Sequence, residues 1–248
     1  MLSALSATEV AFLMAAVIQA VACAVWALGA WAVPEVRRAA MHWAAWAALS
    51  TITWLALAAW LRSPPLLAVL SGVLGAILLQ RGIRVFIGLP TAWATPLLLL
   101  ALVVLADFAT EAPALRHWRP AVNFGVLAGL YLAMARDLHR HGRDDLHQRW
   151  PVLLALPLLL GAAAFGSRAL RAVLWPESVP TQMAAHSALN VGSVMGYVVL
   201  VLALHATLVA LVGSRLIARL RRMSRHDALT GLLNRGAAQE ALHAQMQR

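Results

Sequence analysis

Long apolar runs alternate with short clusters of arginine, proline and acidic residues along almost the whole chain. A helix rises about 1.5 Å per residue, so roughly 20 apolar residues cover the ~30 Å hydrocarbon layer of a bilayer. Seven segments meet or approach that length: Val10–Val33, Met41–Leu61, Pro64–Gln80, Thr91–Ala109, Pro120–Ala135, Trp150–Val173 and Ala184–Gly213. The third and fifth are short. Pro64 and Pro65 suit the first turn of the third helix, where a missing N–H costs little, and Pro120 opens the fifth in the same way. The expected fold is all-α and polytopic: a seven-helix transmembrane domain over residues 1–213, a cytoplasmic linker helix over 214–225, and a final segment over 226–248. Seven spans place the two ends on opposite sides.

Composition agrees with the pattern. The chain is 62% hydrophobic and 12% charged, with a mean hydropathy of +0.75, far from an ordinary soluble domain. All twenty basic side chains are arginine, and the formal charge of +10 gathers in the connections and near the C-terminal end. Arginine beside apolar runs marks membrane topology and anionic lipid headgroups, so membrane lipids are expected as partners and nucleic acid is not. The single cysteine, Cys23, has no internal disulfide partner and is silent about compartment. Met1–Val10 has no positive region before the first run, so that run is expected to stay as a helix instead of being cleaved as a signal peptide.

Arginine also orients the chain. With the N-terminus outside, the inner connections hold eight arginines, the outer ones five, and the tail from Arg215 to Arg248 seven more, a bias of fifteen to five toward the cytoplasm. Trp31, Trp43, Trp60, Trp93, Trp118, Trp150 and Trp175 fall near predicted helix ends, as an interfacial belt requires. Trp26, Trp46 and Trp54 lie deeper and read as packing residues. Two GxxxG pairs, Gly125 with Gly129 and Gly192 with Gly196, allow close helix approach, more readily within one chain than between two.

Polar groups at membrane depth are costly, so the few present are candidates for a sensing site. Asp107, Glu111, Asn123, Arg168, Arg171, His186 and Asn190 share a level near the outer helix ends, where a carboxylate pair facing an arginine pair forms either a structural latch or a ligand lining. His205 lies well inside the seventh helix. No other histidine matches its depth, so it reads as a side chain hydrogen-bonded to a neighbouring helix instead of a haem or metal ligand. The segment Asp137–His147 is rich in donor atoms but lacks a metal spacing, and reads as a solvated loop. A retinal Schiff base needs a lysine, and the chain has none.

The seventh helix is expected to continue past the membrane through Ser214–Met223, with Leu216, Leu220 and Met223 spaced as the start of a coiled-coil seam. Next comes Asp227-Ala-Leu-Thr-Gly-Leu-Leu-Asn-Arg235. This string resembles the opening of a GGDEF domain, the fold of bacterial diguanylate cyclases, in which D-x-L-T-G-L-x-N-R follows the linker. Asp227, Leu229, Thr230, Gly231, Leu232, Asn234 and Arg235 match at seven of nine positions. Thr230 and Gly231 suit a turn and Asn234 a cap for a helix over Gly236–Gln247. Gly236 and Ala238 depart from the Arg and Phe usual in the family.

The resemblance implies a sensory module in a bacterial cytoplasmic membrane, acting as a homodimer through the seventh helix and linker and responding to a small molecule or protein. It implies Mg²⁺ and GTP for the complete GGDEF domain, and no cofactor in this chain. The family's metal-binding Asp, its GG(D/E)EF signature and its guanine-binding pair do not occur here, so no residue is assigned as catalytic and the chain is read as truncated. A GGDEF–EAL hybrid that degrades cyclic di-GMP shares the same junction, and a small transporter or receptor with a vestigial tail is the reading from another class.

Overall fold

A computed structural model describes residues 6–59, 66–110, 112, 115–146, 151–178, 188–225 and 245–246, with backbone alone for 142–146, 151–153, 178, 188–190 and 221–225. Among the described residues there are seven α-helices: α1 (Ala7–Ala32), α2 (Arg37–Ala59), α3 (Leu66–Phe86), α4 (Ala94–Ala109), α5 (Trp118–Leu146), α6 (Pro151–Leu174) and α7 (Ala188–Arg225). Five of them, all but α2 and α4, are long and apolar enough to cross a membrane, and the chain has the character of a multi-pass membrane protein. α4, at 16 residues, is a shorter apolar helix.

α1 begins at a capping box. Ser6 Oγ accepts from the Glu9 amide at 3.2 Å and Glu9 Oε2 accepts from the Ser6 amide at 2.7 Å, so two amides at the helix start are satisfied reciprocally. At its other end Arg37 Nε donates to Ala30 O at 3.1 Å, capping a free carbonyl. α3 ends in a Schellman turn: Gly88 adopts φ +76°, its amide bonds Val85 O at 3.3 Å, and the Leu89 amide bonds Arg84 O at 2.8 Å. Arg81 then holds the α3–α4 connection, donating from Nη1 to Ala92 O at 3.0 Å with its guanidinium 3.8 Å from the centre of the Trp93 ring.

The helices pack chiefly as antiparallel pairs, α1 on α2, α2 on α3 and α5 on α6. Trp26 meets Trp43 edge-on at 4.9 Å and Phe12 meets Trp54 at 5.6 Å, which sets the α1–α2 register. Thr53 Oγ1 and Ser71 Oγ join α2 to α3 at 2.8 Å. α7 lies against α1 in the same direction, with Phe12 in one apolar cluster with Val194 and Gln19 beside His205.

Several elements differ from the sequence expectation. α2 starts at Arg37, not near Met41, so Trp43 occupies its second turn and is fully buried against Trp26 and Phe86. It is a core residue and not part of an interfacial belt. Trp31, Trp93, Trp118 and Trp175 are exposed, as a belt needs, while Trp60 and Trp150 lie outside the described residues. The expected loop over Asp137–His147 is helical to Leu146, because its charged and histidine side chains are compatible with a helix and no proline interrupts it. Pro120 consequently stands in the third position of α5, still among the amides that have no helical acceptor.

The glycines that packing requires are not those of the GxxxG pairs. Among the described residues, a Cβ added at Gly125, Gly129, Gly192 or Gly196 meets nothing within 4 Å. Gly125 and Gly129 instead border an open apolar groove of about 500 Å³ between α4 and α5. Spacing alone does not say which face of a helix meets a neighbour. Close approach occurs at Gly82, where a Cβ would run into the Trp43 indole, and at Gly161, where it would run into the Tyr131 ring.

Candidate functional site

The polar side chains inside the bundle fall into three groups at three depths. The deepest is built on His205. Trp26 Nε1 donates to its Nδ1 at 3.1 Å, and its Nε2 lies 3.0 Å from Gln19 Oε1. An indole N–H is only a donor, so Nδ1 must accept and Nε2 must carry the hydrogen that goes to Gln19. The Trp46 ring stacks obliquely on the imidazole at 4.8 Å. α1, α2 and α7 thus meet around one fully satisfied imidazole. This is the hydrogen-bonded histidine that its isolation at that depth suggests, with Gln19 and Trp26 as partners.

The second group lies toward the end of the bundle away from the α7 extension. Arg119, in the first turn of α5, forms an ion pair with Asp107 near the end of α4. Asp107 therefore answers Arg119 and not an arginine of α6, because α4 packs on α3 and α5. Arg168 of α6 instead places its guanidinium 5.1 Å from the centre of the Tyr197 ring and 5.5 Å from that of Phe124. Phe165 packs on Tyr197 at 5.2 Å and on Tyr131 at 5.2 Å. The Tyr197 hydroxyl and Asn123 Oδ1 are buried with no hydrogen-bond partner among the described residues. Arg171 stands in the last turn of α6. The Asn190 backbone belongs to the first turn of α7, and Glu111 and His186 lie outside the described residues. His205 is eight positions further along α7 than Tyr197, about 12 Å along the axis, so it is separate from the second group.

The third group rims the opposite end. Arg84 of α3 approaches Asp137 of α5 at 3.8 Å. Arg215 of α7 donates to Phe86 O at 2.9 Å, its guanidinium 4.6 Å from the centre of the Phe86 ring. One turn on, Arg219 pairs with Glu35 of the α1–α2 connection. These contacts fasten the extension of α7 to the ends of α1 and α3. On that extension Leu216 is half-buried, while Ile217 and Leu220 are 52% and 64% exposed. The Met223 backbone is helical. The string Asp227, Leu229, Thr230, Gly231, Leu232, Asn234 and Arg235 lies outside the described residues.

Among the described residues no three His, Cys, Asp or Glu side chains converge as metal ligands. Gln19, Glu35 and Arg119 went unnoticed in the sequence as partners. Gln19 carried a signal, since an amide in the middle of the first apolar run is costly unless it is hydrogen-bonded. Glu35 sits in the α1–α2 connection and Arg119 in the first turn of α5, where a charge is unremarkable. The chain matches no protein-family model, no curated protein and no solved structure.

Proposed function

We propose that this chain is the membrane sensory module and signalling linker of a diguanylate cyclase. In its complete form that enzyme joins two GTP into cyclic di-GMP with Mg²⁺, on GGDEF domains that follow the linker. The observation that carries the reading is the string Asp227–Arg235, with its seven family positions, directly beyond α7. Supporting it, α7 is one helix of 38 residues, whereas about 20 suffice to cross a bilayer. The surplus is a rod able to carry a rotation or shift out of the bundle.

On this reading all seven helices span a bacterial cytoplasmic membrane, α2 and α4 among them, with the N-terminus outside and the linker in the cytoplasm beside GTP. Two copies associate through α7 and the seam of Leu216, Leu220 and Met223. The exposed Leu220 and Ile217 are apolar surface that a second linker helix would cover.

Reading the coding DNA beyond the codon for Arg248 tests the proposal. An in-frame GG(D/E)EF signature is expected. A stop codon at once, retained in closely related genes, overturns the reading, and an EAL domain with a degenerate GGDEF redirects it to cyclic di-GMP hydrolysis.

A further inference from the structure

Most arginines that contact the bundle have groups that answer their charge or their N–H donors. Arg119 has Asp107, Arg84 has Asp137 and Arg219 has Glu35. Arg81 and Arg215 donate to backbone carbonyls. Arg168 is different. Its contacts are two aromatic faces, Phe124 and Tyr197, and among the described residues no carboxylate or carbonyl receives its N–H groups. It stands six residues before the end of α6, about 10 Å along the axis from the level of the exposed Trp175. A ring face attracts a cation but accepts no in-plane N–H bond, so the edge of the guanidinium fork remains open.

A second unmet group belongs to the same set. Tyr197, one of the two rings under Arg168, has a buried hydroxyl with no partner among the described residues. A cation and a phenolic O–H, both donors, are complementary to one oxyanion. The surround is aromatic: Phe165 lies 5.2 Å and Trp54 6.2 Å from the Tyr197 ring.

We propose that Arg168 and Tyr197 form a receptor for a single oxyanion group, carboxylate or phosphate, borne on an apolar body that packs against Phe124 and Phe165. An aromatic carboxylate from solution and an anionic lipid headgroup share this chemistry. The proposal rests on the reading of the bundle as a sensory module only in making the bound anion a signal. Binding is measured on this chain, so an absent GGDEF signature leaves it standing, and absent binding leaves the cyclase reading standing.

The test is thermal unfolding of the full chain in phosphatidylcholine nanodiscs, followed by tryptophan fluorescence and titrated with benzoate. Benzyl alcohol serves as the neutral control. A saturable rise in Tm is expected with benzoate alone, retained in Arg116→Gln, whose side chain is exposed, and lost in Arg168→Gln. Tyr197→Phe removes one charge-assisted hydrogen bond and should weaken benzoate by about tenfold. A parallel arm replaces part of the phosphatidylcholine with phosphatidylglycerol. An Arg168-dependent rise there that pre-empts benzoate identifies the lipid headgroup as the source. The proposal is overturned by a wild-type response in Arg168→Gln, or by no response to either anion. If Arg168→Gln does not fold, an unchanged benzoate affinity in Tyr197→Phe overturns it instead.

Discussion

Gln19 and His205 meet at 3.0 Å between two helices that run side by side in the same direction, while Trp26 donates to the other ring nitrogen at 3.1 Å. His205→Ala leaves an indole N–H and a carboxamide unpaired at membrane depth. Interhelical hydrogen bonds of this kind contribute about 0.6–1.7 kcal/mol each, so the variant should lose roughly 1–3 kcal/mol of stability. Unfolding in detergent, followed by tryptophan fluorescence, measures it. A double-mutant cycle with Gln19→Leu should return a coupling of about 1 kcal/mol, and strict additivity of the two changes would count against the contact.

The glycines divide into tolerant and intolerant sites. Gly161→Ala drives a methyl into the Tyr131 ring, whereas Gly125→Ala points into open space. The first should cost about 1–3 kcal/mol through overpacking. The second should be neutral or slightly stabilising, since alanine is the better helix former. Comparing the two unfolding midpoints decides the matter, and equal midpoints would mean that α5 and α6 are less closely packed at this level than described.

At the other end of the bundle, Glu35 and Arg219 are both partly exposed, and exposed ion pairs contribute only about 0–1 kcal/mol. Glu35→Ala should therefore leave global unfolding almost unchanged. It should release the last turns of α7, raising the rate of limited trypsin cleavage after Arg221 or Arg222 by up to about fivefold. Exchanging the charges, Glu35→Arg with Arg219→Glu, should restore protection.

Replacing Leu216 and Leu220 together with aspartate should abolish chemical cross-linking of two copies in membranes, because the seam formed by the half-buried Leu216 and the exposed Leu220 becomes charged. Cross-linking that persists at the wild-type level would remove the linker from the dimer route.

Topology has its own test. In a Cys23→Ala background, Arg116→Cys and Arg140→Cys each introduce one exposed thiol. With the N-terminus outside, an impermeant maleimide added to intact cells should label position 116 and spare position 140. The reverse pattern would invert the chain and put the linker on the wrong side for GTP.

The vertical coordinate of this molecule was readable in the sequence, and the angular one much less so. Apolar length gave the helices and their approximate levels, and it isolated His205 at a depth with no second histidine. It did not say which neighbours face each other. Asp107 could be placed near the outer end of its helix, but whether Arg119 or Arg168 answers it depends on α4 lying against α5. Trp43 was misplaced for a related reason: Arg37 and Arg38 ended the apolar run, whereas a helix start admits arginine, so α2 began earlier and turned the indole inward. The glycine pairs failed through the same gap, since a spacing of four names a face without naming what lies opposite.

The bond between Gln19 and His205 gives the long seventh helix unequal arms. Tyr197 lies eight residues to one side of His205 and Arg219 fourteen to the other, about 12 Å and about 21 Å along the axis. A stiff helix held at that point is a lever with its fulcrum nearer Tyr197 than Arg219. A sideways push of about 1 Å at Tyr197 becomes an opposite swing of about 1.75 Å at Arg219, by the ratio of the arms. That swing would act directly on the pairing with Glu35 and on the spacing of two linkers set side by side.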